Sequence, residues 1–222
     1  IPVRHEIYLV SKVWPTELGF TTTSSAISQS LQDMETAYVD LYMLHWPWCV
    51  QEWPWMHCET TVDPAGTWVQ SYKSLERAYA EGRVASIGVS NFNVGLLQDV
   101  KAAAVVSPHV VQNHATLSNM DMDVRQWCSD NGAAYMPYSS QREIHVLPKS
   151  TQKVIRETAK AHKANQHAVV TRFFLQTGAV VIPRSTKPVH LKENIELVQS
   201  FTLSEDEMGA LGWPYSPWHS EL

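Results

Sequence analysis

Polar side chains able to do chemistry recur in this sequence at one kind of place, inside or directly after a short apolar run. Lys12 lies within Ile7–Trp14 (IYLVSKVW), His45 follows Val39–Leu44 (VDLYML), and Ser90 and Asn91 follow Val84–Val89 (VASIGV). Gln112 closes Val110–Gln112, Tyr138 ends Ala133–Tyr138 with Ser139 behind it, and Arg184 and Ser185 follow Val180–Pro183 (VVIP). An ammonium in an apolar strand is costly unless it is partnered or used. Lys12 is therefore a candidate functional residue, the alternative being a lysine at the strand end with its head in solvent. Histidine is the residue type whose ordinary pKa lies nearest neutrality, so His45 is a candidate acid, base or hydrogen-bond donor, although a histidine after an apolar strand is more often a packed core residue. Gln112 is an amide in an apolar strand, and Ser90-Asn91 suits either a ligand or the cap of a following helix. Trp14 and Trp46, beside Lys12 and His45, can wall a pocket or simply pack.

These residues need elements that bring strand ends together. The apolar runs read as strands, and amphipathic stretches lie between them: Ser24–Met34, Trp68–Ala80, Leu96–Ala104, Asp121–Asp130, Val154–His162, Ala168–Gln176 and Leu191–Val198. A further helix start falls in Leu203–Leu211, where Ser204 and Glu207 have capping-box spacing. Thr21–Ser24 offers N-caps for the first helix, and Gly82, Gly132 and Gly178 stand where helices close on a C′ glycine. Six strand–helix units result, which implies a parallel sheet with helical crossovers. A doubly wound dinucleotide fold should carry GxGxxG after its first strand, and this sequence has none. Polar residues at the C-terminal ends of successive strands converge instead at the mouth of a barrel. The expectation is one α/β domain over residues 1–222, a (β/α)8 TIM-type barrel with six units present where a closed barrel needs about eight and roughly 250 residues.

Composition narrows the partners. Lys+Arg is 17 against Asp+Glu 22, a formal charge of −5, and no basic run occurs, so nucleic acid is not expected as a partner. No membrane segment and no metal-ligand spacing is read. The three cysteines, Cys49, Cys58 and Cys128, are few, odd in number and scattered, which argues against a disulfide framework and for the cytoplasm or another reducing compartment. The chain opens on Ile1-Pro2-Val3 with no initiator Met, as the interior of a longer protein would.

Five segments together resemble the aldo-keto reductase family from about Glu6 to Leu211: VSKVW (Val10–Trp14), YVDLYMLHWP (Tyr38–Pro47), GRVASIGVSNF (Gly82–Phe92), PHVVQN (Pro108–Asn113) and VVIPRST…KEN (Val180–Asn194). The resemblance implies an eight-stranded α/β barrel that reduces aldehydes and ketones with NADPH through a tetrad of Asp, Tyr, Lys and His. On it, Lys12 and His45 are catalytic, and the substrate is a small carbonyl compound. Ser90, Asn91 and Gln112 hold the nicotinamide carboxamide, and Tyr138 stacks on its ring. Ser139, Arg184, Ser185, His190, Glu193 and Asn194 serve the phosphates and adenosine, and Trp14 and Trp46 line the substrate pocket.

Departures from the pattern are as informative. The tetrad's Asp and Tyr lie in the family on and just after the second strand, upstream of the lysine strand, so the two absent units are expected to be the first two. Ser140 and Gln141 replace the usual Pro-Leu, and Arg184 stands for a more frequent lysine. His190 replaces an arginine that grips the 2′-phosphate, and an imidazole lacks the guanidinium fork; NADH is therefore allowed as an alternative to NADPH. These departures motivate a second reading, a non-catalytic aldo-keto-reductase-like subunit bound to other protein chains, and a third, a channel-associated barrel. The Trp48–Thr67 loop, with Trp53, Trp55, His57 and Cys58, suits a pocket lining or a partner contact.

Overall fold

A computed structural model of the chain describes residues 3–214; Ile1 and Pro2 of the opening tripeptide lie outside the described residues. The chain divides into two compact units, one running to Asn113 and including Asp123–Ala134, the other comprising His114–Met122 and the residues from Tyr135 onward.

The first unit is built on parallel strands β1 (Val10–Val13), β2 (Leu41–Leu44), β3 (Ile87–Ser90) and β4 (Val110–His114, of which His114 belongs to the second unit). They lie side by side in chain order, with Lys12 opposite Met43, Tyr42 opposite Ile87 and Ser90 opposite Gln112. Every residue of β2 and β3 is buried, as strands of a parallel sheet covered on both faces must be. Their near-continuous apolar runs are the sequence signature of that burial, and a bridge between Val39 and Val84 extends both by one pair. Helices α1 (Phe20–Asp33), α2 (Trp68–Ala80), α3 (Val94–Ala103) and α4 (Met122–Asn131) intervene. Ile27 of α1 and Leu75 of α2 are fully buried with Leu41, Leu44, Ile87 and Val89 of the strands. Helix α2 occupies the expected residues and is opened by Thr67, whose side chain accepts from the Gln70 amide while Gln70 reaches back.

Gly88 is forced by this packing, because a Cβ there would run into the Val110 carbonyl oxygen and the Met43 side chain. The β3–β4 approach therefore depends on glycine.

The second unit carries most of β5 (Ala134–Tyr138), then α5 (Lys149–Ala161), α6 (Gln166–Gln176), α7 (Pro188–Gln199) and α8 (Glu205–Ala210). Ile155, Val169, Phe173, Val198 and Met208 form its buried apolar centre. Asn165 caps α6, and Ser204 with Glu207 makes the expected capping box on α8.

Three expectations are corrected. Val180–Pro183 is not a strand; a single bond from the Val180 amide to the Tyr135 carbonyl (2.9 Å) is its ladder-like contact among the described residues. Val180 and Ile182 stay about two-fifths exposed, and Pro183 has no amide to donate. Five strands are thus present among the described residues, not six. Thr21–Ser24 does not cap α1: the helix already starts at Phe20 after Gly19, and Thr22 and Thr23 donate back to the Leu18 and Glu17 carbonyls. Cys49 and Cys58 are joined in a disulfide, their Cα atoms 5.7 Å apart. The cysteine argument for a reducing compartment therefore loses its ground. No helix among the described residues is long and apolar enough to cross a membrane.

Gly88→Ala should lower stability by about 1–3 kcal/mol, the usual cost of overpacking. Urea unfolding followed by circular dichroism measures it, and an unchanged midpoint would mean that β3 and β4 do not approach so closely.

Candidate active site

The parallel register places Lys12 and His45 at neighbouring strand ends. The His45 amide donates to the Val13 carbonyl (3.0 Å), carrying the β1–β2 ladder one residue past β2. Lys12 is half-buried, makes no hydrogen bond or ion pair among the described residues, and burial pulls its pKa below the ordinary lysine value. Burial, then the positive charge of Lys12, push His45 down to about 4, so its imidazole is neutral near pH 7. The pair is thus a desolvated cation beside a neutral hydrogen-bonding ring.

An aromatic wall stands over this pair. Trp14 meets the His45 ring edge-on at 4.9 Å between centroids and donates its indole N–H to the Met56 carbonyl (3.1 Å). Trp55 lies 6.0 Å from Trp14 and 6.1 Å from Trp46, Trp53 packs edge-on against Trp46 at 5.2 Å, and Trp53 stacks on Trp55 at 5.4 Å. Trp14 and Trp46 are therefore two members of a cluster of four. The further two, and Met56, come from the Trp48–Thr67 loop, expected from sequence to line a pocket or meet a partner.

The next strand ends join the same group. Ser90 is fully buried and Gln112 nearly so. Asn91 sits in the left-handed region (φ 62°), which asparagine tolerates better than most residues. From there its side-chain amide donates to the His45 carbonyl (2.9 Å) and to Ser90 Oγ (3.1 Å), while its backbone amide donates to the Gln112 carbonyl (3.0 Å). The structure thus brings Ser90, Asn91 and Gln112 together and ties them to the backbone of His45. Ser90-Asn91 is not a helix cap; Asn93 performs that task on α3 by accepting from the Leu96 amide. Asn113, not singled out from sequence as a site residue, bonds both the amide and the carbonyl of Phe92 and fixes the turn after Asn91.

In the second unit Tyr138 ends β5, half-buried, with the His114 ring edge-on at 5.5 Å. Burial raises its pKa above the ordinary tyrosine value, so the phenol is neutral. Ser139 follows in the left-handed region (φ 59°), and its carbonyl accepts from the Arg142 amide (2.9 Å). Arg184, Ser185, His190, Glu193 and Asn194 line one cavity of about 410 Å³, joined by Gln141, Asn165 and His167. Tyr138 and Ser139 are not among its lining residues. The cavity borders the starts of α6 and α7, whose first-turn N–H groups favour anions. Asn165 caps α6 through the Ala168 amide and also donates to Glu193 (3.2 Å). Asn165 and His167 went unread because their signal, a cap at the start of an apolar helix, is the same with or without a ligand. Among the described residues no cluster of His, Cys, Asp and Glu is arranged to hold a metal ion.

Comparison with known proteins places this arrangement. The aldo/keto reductase family model matches residues 3–212. Glyoxal reductase of Bacillus subtilis is 30% identical over 207 residues, covering 92% of this chain and 67% of that protein. A 9,11-endoperoxide prostaglandin H2 reductase of Trypanosoma cruzi is 30% identical over 208 residues, covering 92% and 66%. A Gox0644 variant solved in complex with NADPH superposes with a TM-score of 0.78 at 29% identity, covering 94% of this chain and 70% of that one. The chain spans about two thirds of the length of these curated relatives. With Lys12 and His45 on adjacent strand ends and a family match across nearly all the described residues, the chain belongs to the aldo/keto reductase family of oxidoreductase enzymes, whose fold is an α/β barrel of TIM type.

Proposed function

We propose that this protein reduces a small aldehyde or ketone to the alcohol with a reduced nicotinamide cofactor, NADPH or, since His190 stands in the adenosine site, NADH. The observation that carries the reading is the pairing of a desolvated Lys12 with a neutral His45 beneath a four-tryptophan wall. The B. subtilis glyoxal reductase and the NADPH-bound Gox0644 variant support the substrate class and the cofactor. Residues 1–222 are read as one barrel domain; the cytoplasm or another reducing compartment is the proposed location, to which the Cys49–Cys58 disulfide lends no support.

The residues fit a dinucleotide. Buried Ser90 and Gln112 and the left-handed Asn91 present the amide and hydroxyl groups that a carboxamide needs, and the Arg184–Asn194 cavity offers a guanidinium, a hydroxyl and two helix starts to an anion. When bound, the reduced nicotinamide supplies the hydride. His45, neutral and held by its backbone to Val13 and Asn91, donates a hydrogen bond that orients the substrate carbonyl. Lys12 lowers the pKa of the proton-donating tyrosine that the family resemblance places upstream of β1, since a cation nearby favours the phenolate. Trp14, Trp46, Trp53 and Trp55 exclude water and contact the substrate body. Tyr138 offers its ring face to the nicotinamide, with Ser139 turning the chain away after it.

Titrating NADPH and NADH against tryptophan emission tests the cofactor reading; no binding of either below the millimolar range would discard it. His190→Arg should shift preference toward NADPH by about tenfold, because a guanidinium adds charge-assisted bonds to a phosphate.

Lys12→Met should cut carbonyl reduction about 10²–10⁴-fold, the usual share of acid–base catalysis, with cofactor affinity unchanged. Full activity in the variant removes Lys12 from the mechanism. Bound cofactor without turnover of any aldehyde, ketone or quinone in the unsubstituted protein points instead to the non-catalytic subunit.

The His45 ring resonance should stay that of neutral imidazole down to about pH 4. Its folded pKa is depressed, so its contribution to stability is complete above the ordinary 6.5 and is lost as pH falls from there toward about 4. NMR titration of the ring protons checks this, and a midpoint near 6.5 would contradict the desolvation of the pair.

A further inference from the structure

Half of the aromatic wall hangs on a covalent tie. Cys49 and Cys58, nine positions apart, close a loop that carries Trp53, Trp55 and Met56. Little else in this loop is regular: two 3-10 turns, Pro54–Met56 and Cys58–Thr60, are hinged at His57, which is left-handed (φ 54°). Met56 is its buried anchor, accepting from the Val50 amide through sulfur (3.2 Å) and from Trp14 through its carbonyl. Trp53 and Trp55 are 38% and 51% exposed, so packing alone restrains them weakly. A second face of the same disulfide is open. Cys49 and Cys58 both line a cavity of about 630 Å³ with Trp48, Trp68, Glu59 and Asp63. Cys49 is half-buried, whereas Cys58 is buried. A reagent entering the cavity reaches the bridge without passing Lys12 or His45.

We propose that the Cys49–Cys58 disulfide is a redox-operated clamp on the aromatic wall: oxidised, it holds Trp53 and Trp55 against Trp14 and Trp46; reduced by a dithiol, it releases them and weakens substrate binding. The inference rests on the carbonyl-reduction reading of the Lys12–His45 site. The chemistry is thiol–disulfide exchange. A thiolate of the dithiol attacks the more accessible Cys49 sulfur, the S–S bond breaks, and Cys58 leaves as a thiolate. The dithiol's second sulfur then displaces Cys49, so the donor departs as its own disulfide. Two electrons pass to the protein, and the donor's two protons end on Cys49 and Cys58. Cys49 and Cys58 are positioning residues in this scheme and never touch the reacting carbonyl.

The experiment uses the whole chain, para-nitrobenzaldehyde as the probe and tryptophan quenching as the signal. The oxidised chain should bind the probe. Dithiothreitol should weaken binding roughly tenfold, the cost of ordering two large side chains on association. The near-ultraviolet circular dichroism of the tryptophan cluster should fall together with binding while the far-ultraviolet spectrum holds, and reoxidation should restore both. Cys49→Ser with Cys58→Ser should bind weakly under either condition, and Cys128→Ala should keep the response. Equal binding before and after reduction, with alkylation and mass analysis placing both thiols at Cys49 and Cys58, would overturn the clamp and leave the carbonyl site standing. Failure of the oxidised chain to bind the probe would remove the carbonyl site, and the clamp with it. Should the double variant not fold, the reversible reduction of the unsubstituted chain decides alone.

Discussion

One hydrogen bond fixes the chemistry of the first unit, the donation from the His45 amide to the Val13 carbonyl at the end of the β1–β2 ladder. Side chains alternate faces along a strand, so a slip of one residue would turn Lys12 away from His45 and replace it with a neighbour of opposite facing. The observed register, with Lys12 opposite Met43 and Val13 opposite Leu44, is what sets Lys12 and His45 on neighbouring strand ends; β2, enclosed on both sides, has no polar face of its own to fix it. Asn91 repeats the device one strand further on, reaching back to the His45 carbonyl from a backbone conformation that few residues adopt.

Electrostatics follow from this enclosure. Lys12 and His45 share a desolvated corner, and each has its charged form disfavoured by burial. The cation that persists is lysine, whose ordinary pKa leaves it the greater margin. The second unit applies the same principle to a phenol, Tyr138, which burial keeps protonated. Within the first unit the neutral His45 ring, with Trp14 edge-on to it, lies beside one positive charge.

Much of this was legible before any coordinates. The apolar runs of β2 and β3 and the amphipathic span of α2 declared themselves because burial on both faces, or along one stripe, leaves no other pattern. The Ser204–Glu207 cap was readable because its bonds are local. The VVIP run misled, since an apolar tetrapeptide predicts burial without saying whether a partner strand is in reach. The Cys49–Cys58 bridge was invisible for a related reason: an odd count of scattered cysteines is silent about a loop that doubles back to 5.7 Å between Cα atoms. Type and position single out Lys12, His45, Ser90, Asn91 and Gln112 as candidates, but not the bond from Asn91 to the His45 carbonyl, which depends on one left-handed residue.

Asn165 holds two ends of the second unit at once. Its carbonyl oxygen secures the opening turn of α6, while its amide nitrogen holds Glu193 of α7 at the cavity wall. Because one side chain makes both bonds, the start of α6 and Glu193 of α7 are tied to each other, and hydrogen exchange at the capped Ala168 amide reports whether that tie holds.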